Sequence, residues 1–256
     1  MARVFITGSS DGLGKMAAQF LVKEGHNVVL HARSEKRAQE AKAAVPGAEH
    51  VVVGDLSSIA QTRSVADQVN SLGSFDAVIH NAGVGYREPR RIETEDGIPH
   101  VFAVNTLAPY ILTALIERPR RLIYLSSGLH RGGEGSLQDI DWTRRAWNTA
   151  KAYAESKLHL TALAFALARR WPEVLSNAVD PGWVRTKMGG AGAPVDIETG
   201  QRTQSWLAVS NEAAAMVSGH YWHNMRQQQP ASEAMDVAFQ DRLIALLHGL
   251  TGVALP

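Results

Sequence analysis

The sequence of 256 residues contains no cysteine. Disulfides, thiolate metal sites and cysteine nucleophiles are therefore excluded together. It also lacks any run of eighteen apolar residues; the longest candidate, from Leu158 to Ala168, is broken by His159 and Thr161. No membrane-spanning helix is expected from it. Ahead of Thr7-Gly8 the only apolar run is Val4-Phe5-Ile6, too short for the core of a signal peptide. Charge of one sign is missing as well. Lys and Arg number 26 against 25 Asp and Glu, a net charge of +1, which suggests neither a nucleic-acid partner nor an anionic membrane. Internal repeats, low-complexity tracts and linkers are absent. A soluble, cytoplasmic protein is the expectation.

What is present is ordinary for a globular chain: 45 % hydrophobic and 20 % charged residues. The length suits one domain over residues 1–256. Short apolar runs alternate with helical patterns. Val4–Ile6, Asn27–His31, Val51–Val53, Ala77–Ile79, Leu122–Leu125 and Leu175–Val179 read as strands. Helices are predicted over Leu13–Lys23, from a cap at Ser34 to about Ala44, from Ser57 or Ser58 to near Gly73, over Pro99–Ile116, over Thr149–Trp171 and over Ser232–His248. Continuously apolar strands separated by helices imply a parallel sheet covered on both faces, an α/β doubly wound Rossmann fold of about seven strands. Residues 187–200 are glycine-rich without a clear period, so a mobile substrate loop or lid is expected at about 187–210, carrying Met188, Trp206 and Leu207.

Thr7-Gly8-Ser9-Ser10-Asp11-Gly12-Leu13-Gly14 follows the first strand and opens the first helix. Glycines there allow a sharp turn and let a phosphate approach the helix N-terminus, where free N–H groups and the helix dipole favour negative charge. Gly8, Ser10, Asp11, Gly12, Leu13 and Gly14 are thus candidate cofactor-binding residues. The second strand ends Leu30-His31-Ala32-Arg33, with no acid before Glu35. An acid at this place suits the 2′-hydroxyl of NAD, an arginine the 2′-phosphate of NADP. Arg33 therefore predicts NADP(H). Lys36 and Arg37 read either as helpers of Arg33 or, preferred, as a solvated helix face.

Tyr153 and Lys157 stand four residues apart on the predicted long helix, about one turn from each other on one face. An ammonium beside a phenol favours the phenolate and lowers a pKa ordinarily near 10. The pair is a candidate general acid and base. With these residues placed, the chain resembles the short-chain dehydrogenase/reductase family. The motifs fall in family order: Thr7 to Gly14, Asp55-Leu56, Asn81-Ala82-Gly83, Asn105, Ser126-Ser127, Tyr153 with Lys157, and Pro181-Gly182 followed by Thr186.

The resemblance implies a set of roles. Asp55, Leu56, Asn81, Ala82 and Gly83 would meet the adenine side of the cofactor. Tyr153 would exchange a proton with the substrate oxygen, Lys157 would hold the nicotinamide ribose, and Asn105 would anchor a proton chain to Lys157. Family pattern favours Ser127 as the serine that hydrogen-bonds the substrate oxygen, leaving Ser126 as a strand-end residue. Pro181, Gly182, Val184 and Thr186 would seat the carboxamide. The implied substrate is a small-molecule carbonyl or alcohol, a bulky apolar one if the loop forms an apolar lid, and the NADP(H) expectation from Arg33 makes reduction the expected direction. A homodimer or homotetramer is implied, with a monomer also open. A non-catalytic NADP(H) sensor is the alternative, disfavoured because the tyrosine, lysine, serine and asparagine are all present. A sugar-nucleotide epimerase is disfavoured by the glycine spacing and the short stretch after Gly182.

The chain departs from the commonest pattern in one respect. Ser127 and Tyr153 are 26 positions apart, a longer connection that, with Ile140-Asp141-Trp142, resembles the retinol-dehydrogenase-like branch. His130 in that connection reads as a surface residue or a cleft residue. Trp183 is expected beside the nicotinamide or substrate, and Tyr110 and Tyr124 in the core or groove. The cluster His220, Tyr221, Trp222, His223 reads as packing near the last strand rather than as a metal site.

Overall fold

The computed structural model describes residues 1–85 and 88–256. Its strands are β1 (Arg3–Ile6), β2 (Asn27–Ala32), β3 (His50–Val53), β4 (Ala77–His80), β5 (Arg121–Leu125), β6 (Leu175–Asp180), β7 (His220–His223) and β8 (Arg226–Gln228). They form one sheet in the order β3-β2-β1-β4-β5-β6-β7-β8. β1 to β7 pair in parallel and β8 runs antiparallel to β7. The order in which strands are added to the sheet reverses between β1 and β4. A crevice outside the carboxyl ends of the strands is expected at such a point.

The central strands β1, β2, β4 and β5 are buried on both faces, as their mainly apolar character requires, whereas β3 at the edge is only partly covered. In β1, Phe5 belongs to the core beneath α3 (Ile59–Ser71) and α6 (Thr149–Arg170), whereas Val4 and Ile6 belong to the core beneath α1 (Gly12–Lys23) and α2 (Glu35–Ala44). Short polar side chains start the helices by accepting free backbone N–H groups. Asp11 caps α1, Ser34 caps α2, Ser58 caps α3 and Asn148 caps α6.

The eighth strand exceeds the expected seven. β8 is Arg-Gln-Gln, fully exposed and without an apolar side chain, so periodicity does not reveal it. Asn224 and Met225 join it to β7 with positive φ at both positions (47° and 57°), the backbone of a tight hairpin turn. The helix expected over Pro99–Ile116 is interrupted. α4 (His100–Phe102) passes through a π-helical stretch, Ala103–Leu107, into α5 (Ala108–Leu115).

The segment expected to be a loop over 187–210 divides. Residues 187–196 are irregular, but α7 (Ile197–Val209) is a helix packed on α1. At Gly200 a Cβ would come within 2.7 Å of Val184 and 3.0 Å of Leu13, so glycine allows the close approach. Leu207 is buried in the core and Trp206 stacks edge-on against Trp222 at 5.3 Å, so neither forms part of a lid. The last helix is broken once, into α8 (Ser232–Met235) and α9 (Val237–Thr251). Among the described residues no helix is long and apolar enough to cross a membrane.

Candidate active site

The loop after β1 is fixed from three sides. Asn81 Nδ2 donates to Thr7 O at 2.9 Å, and Ala82 N–H donates to Thr7 Oγ1 at 2.9 Å. His31, fully buried, accepts from Gly8 N–H through Nδ1 at 3.0 Å and donates through Nε2 to Gly54 O at 2.9 Å. Burial pushes its pKa down to about 4, so the imidazole is neutral and its two nitrogens keep these opposite roles. Gly14 permits the crossing of α1 and the β4 loop: a Cβ there would lie 2.3 Å from Asn81 Nδ2 and 2.7 Å from Gly8 O. At Gly12, with φ of 53°, a Cβ would meet only Thr186 Cγ2 at 3.9 Å. The first turn of α1 is open there, the setting in which a phosphate meets helix N–H groups.

A cleft of about 600 Å³ lies along these strand ends. Gly8, Ser10, Asp11, Gly12 and Leu13 line it from β1 and α1; Asp55 and Leu56 line it from β3; Asn81, Ala82 and Gly83 line it from β4. Arg33 lines the end near β2. So does Arg37, in keeping with the less favoured of its two readings, a helper of Arg33, rather than with a solvated face. One Arg37 nitrogen donates to Ser10 O at 3.3 Å and to Ser10 Oγ at 3.4 Å, and lies 3.4 Å from Asp11 Oδ2. The signal was its position four residues after Arg33, in the turn that Ser34 caps. Lys187 pairs with the same Asp11 carboxylate at 2.5 Å and holds it below the usual carboxylate range.

Tyr153 and Lys157 line the opposite end and are both buried. Lys157 Nζ donates to Leu125 O at 2.7 Å and stands 5.8 Å from the centroid of the Tyr153 ring. Burial lowers its pKa to about 8. Gly83 makes room for it, since a Cβ there would sit 3.4 Å from Nζ. Asn105 lies in the π-helical stretch, a feature frequent at functional sites. It is fully buried and does not line the cleft. Its Oδ1 accepts from Val84 N–H at 2.8 Å, and its Nδ2 donates to Val84 O at 3.1 Å and Ser156 Oγ at 3.0 Å.

The two serines after β5 differ. Ser126 lines the cleft, but its hydroxyl is engaged with Thr161 Oγ1 at 2.7 Å and Lys157 O at 3.3 Å. Ser127 is half-buried, outside the cleft wall, and caps the 3₁₀ turn Gly128–Gly132 by accepting from Leu129 N–H at 3.2 Å. Pro181 and Thr186 line the cleft, whereas Gly182 and Val184 do not. Val184 is buried and bridges to Val195. Trp183 is 55 % exposed and does not line the cleft; its Nε1 donates to Gly189 O at 3.0 Å.

His130 is neither a surface nor a cleft residue. It is fully buried, donates through Nδ1 to Ser127 O at 2.7 Å and accepts from Ala231 N–H through Nε2 at 2.9 Å. Tyr110 and Tyr124 are core residues; the latter stacks on His80 at 4.7 Å. Tyr221 and Trp222 are buried in β7. No group of three or more His, Asp or Glu among the described residues is placed to hold a metal ion.

Residues 2–194 match the short chain dehydrogenase family. The chain is 45 % identical over 260 residues to an uncharacterized oxidoreductase of Emericella nidulans, covering 100 % of this chain and 99 % of that one. It is 32 % identical to human retinol dehydrogenase 13, covering 99 % of this chain and 85 % of that one. A crystal structure of an uncharacterized protein from Mycobacterium paratuberculosis superposes with a TM-score of 0.87 at 26 % identity, over 100 % of this chain and 95 % of that one. The family uses a nicotinamide cofactor, and a cleft with an open helix N-terminus at its centre fits a dinucleotide. This chain belongs to the short-chain dehydrogenase family of oxidoreductases.

Proposed function

We propose that the chain is an NADP(H)-dependent oxidoreductase that interconverts a carbonyl compound and a secondary alcohol, with Tyr153 as proton donor and acceptor. One observation carries the reading: a single cleft has Arg33 and Arg37 at one end and Tyr153 with the buried Lys157 at the other. The two guanidinium groups suit a 2′-phosphate, which the fork of an arginine meets through two oxygens. Gly8, Ser10, Asp11, Gly12, Leu13 and Gly14 would hold the diphosphate. Asp55, Leu56, Asn81, Ala82 and Gly83 would hold the adenosine, and Pro181, Gly182, Val184 and Thr186 the carboxamide. When bound, the nicotinamide supplies or accepts the hydride.

The side chains handle the proton. Tyr153 Oη would protonate the substrate oxygen in reduction and take the proton back in oxidation. Lys157 acts on Tyr153 by charge, and low surrounding dielectric strengthens that action. Its depressed pKa still leaves it mostly protonated at neutral pH. Ser127, although outside the wall of this cleft, would donate to the substrate oxygen as charge develops there, because its hydroxyl accepts from Leu129 N–H and keeps its own proton to give, whereas that of Ser126 is engaged by α6. Asn105, locked between Val84 and Ser156, would brace the turn of α6 that carries Tyr153. Val84, Val104 and Met188 give the cleft an apolar wall, which favours a bulky apolar carbonyl substrate.

The test is the loss of NADPH absorbance with a panel of ketones, aldehydes and quinones, repeated on Arg33→Ala and Arg37→Ala. Each variant should lose about 10- to 100-fold in NADPH affinity, the size of a charged hydrogen bond to phosphate, and change NADH affinity by less than about threefold. Equal efficiency of the unaltered chain with NADH and NADPH contradicts the cofactor assignment.

A further inference from the structure

The long connection between Ser127 and Tyr153 folds around one set of charges. Asp139 accepts from the backbone N–H groups of Thr143 and Arg144 at 3.0 Å and of Arg145 at 3.2 Å. Its Oδ2 also lies 3.2 Å from Arg145 Nε. Arg145 then reaches across to α6. Its two terminal nitrogens donate to the two oxygens of Glu155 at 2.7 and 2.6 Å, the bidentate geometry that fixes both groups. Glu155 is buried and stands midway between Tyr153 and Lys157 in sequence. On a helix that spacing turns it away from their shared face.

Arg145, which also lies 4.0 Å from a Glu134 carboxylate oxygen, stacks on Trp142. The guanidinium carbon lies 3.6 Å from the indole centroid, a close cation–π stack. Trp142 is buried in one apolar cluster with Val101, Ala152 and Tyr153, edged by Val84 and Trp147. Its φ of 55° lies in the left-handed region that large side chains avoid and glycine accepts. A bulky ring thus stands where the backbone favours glycine, held by a stacked cation that is itself pinned at two carboxylates.

We propose that Trp142 is a positioning residue for Tyr153, locked by Asp139, Arg145 and Glu155, and that the inserted segment serves to fix the phenol. Proton transfer depends on ångström-scale placement of the donor, and Tyr153 sits in the first turns of α6, where a helix has little support from its own chain. The indole supplies that support from outside. The catalytic meaning rests on the acid–base reading of Tyr153; the positioning itself does not.

The experiment incorporates 3-fluorotyrosine into the full chain and assigns the Tyr153 fluorine NMR signal with Tyr153→Phe. Trp142→Gly removes the ring and relieves the backbone together, and Trp142→Phe keeps an aromatic wall. In Trp142→Gly the Tyr153 signal should shift or broaden while the other tyrosine signals stay in place. Trp142→Phe should restore most of its position. Glu155→Gln should move the same signal in the same direction, although its side chain is turned away from Tyr153. With NADPH and the most active carbonyl of the panel, Trp142→Gly should lower kcat by about 10- to 100-fold and leave the NADPH dissociation constant within about threefold. An unmoved Tyr153 signal in folded Trp142→Gly overturns the proposal. Should that variant lose its fold, an unmoved signal in Glu155→Gln overturns it instead. Absence of any carbonyl reduction by the unaltered chain refutes the acid–base reading, while the fluorine signal still decides the positioning.

Discussion

Burial sets the behaviour of Lys157. Holding an ammonium away from water costs stability, and its pKa of about 8 against an ordinary 10.5 records that cost. The sign follows from proton counting. Between pH 8 and 10.5 the unfolded chain binds more protons at this lysine than the folded chain, so folding stability rises with pH across that window. Lys157→Met removes the cost together with the cation. Near neutral pH it should melt about 2–6 °C higher than the unaltered chain while losing activity, and its advantage should shrink as pH rises from 8 to 10.5. Calorimetry at several pH values checks this, and a Lys157→Met chain that melts lower throughout contradicts it. The same reading of burial separates the two serines: the hydroxyl of Ser126 is occupied by α6, whereas that of Ser127 meets only a backbone N–H at 3.2 Å.

At the scale of elements, the approach of α1 to the β4 loop is the contact on which the cofactor cleft depends. Gly14→Ala would force a methyl group to 2.3 Å from Asn81 Nδ2 and 2.7 Å from a backbone oxygen. The crossing must open, and the bond from Asn81 to Thr7 O must lengthen. We expect a loss of roughly 2 kcal/mol in stability and of most NADPH affinity, read by urea unfolding and by quenching of tryptophan fluorescence. Helices and strands that bury an apolar face were readable in the sequence, and so were the loops whose glycines face a cleft. Arg33 lines the cleft as its place after β2 implied. Other features left no signal in one dimension. β8 is three exposed polar residues paired through backbone alone. α7 is helical under a glycine-rich approach because it packs on α1, a tertiary cause. His130 and His31 are buried by partners distant in sequence, and a lone histidine does not announce such partners. The clamp through Arg145 joins residues ten positions apart, outside any helical or strand period.

At the scale of the whole molecule, four histidines are sealed in the interior, and in three of them burial holds the ring neutral far below its ordinary range: His31, with a pKa near 4, and His80 and His159, near 3. Each binds a proton in the unfolded chain below about pH 6.5 and resists doing so when folded. Stability should therefore fall as pH drops from 6.5 toward 3, by on the order of 3 kcal/mol per group at the limit. Among the described residues His159 has no hydrogen-bond partner for either ring nitrogen, and it packs against Phe102 and Phe239. His159→Phe should flatten the acid limb of the stability profile, and a variant whose limb matches the unaltered chain contradicts this assignment. The candidate site residues gather at the carboxyl ends of β1 to β6, where Arg33, Arg37, Tyr153 and Lys157 line one cleft. If the proposed function holds, the phenol of Tyr153 carries the proton. The most direct measurement pairs NADPH binding with steady-state turnover in Tyr153→Phe. Binding within about threefold of the unaltered chain and a kcat lower by at least about 100-fold is the result expected here; a Tyr153→Phe chain that binds NADPH and turns over at a near-unaltered rate would contradict it.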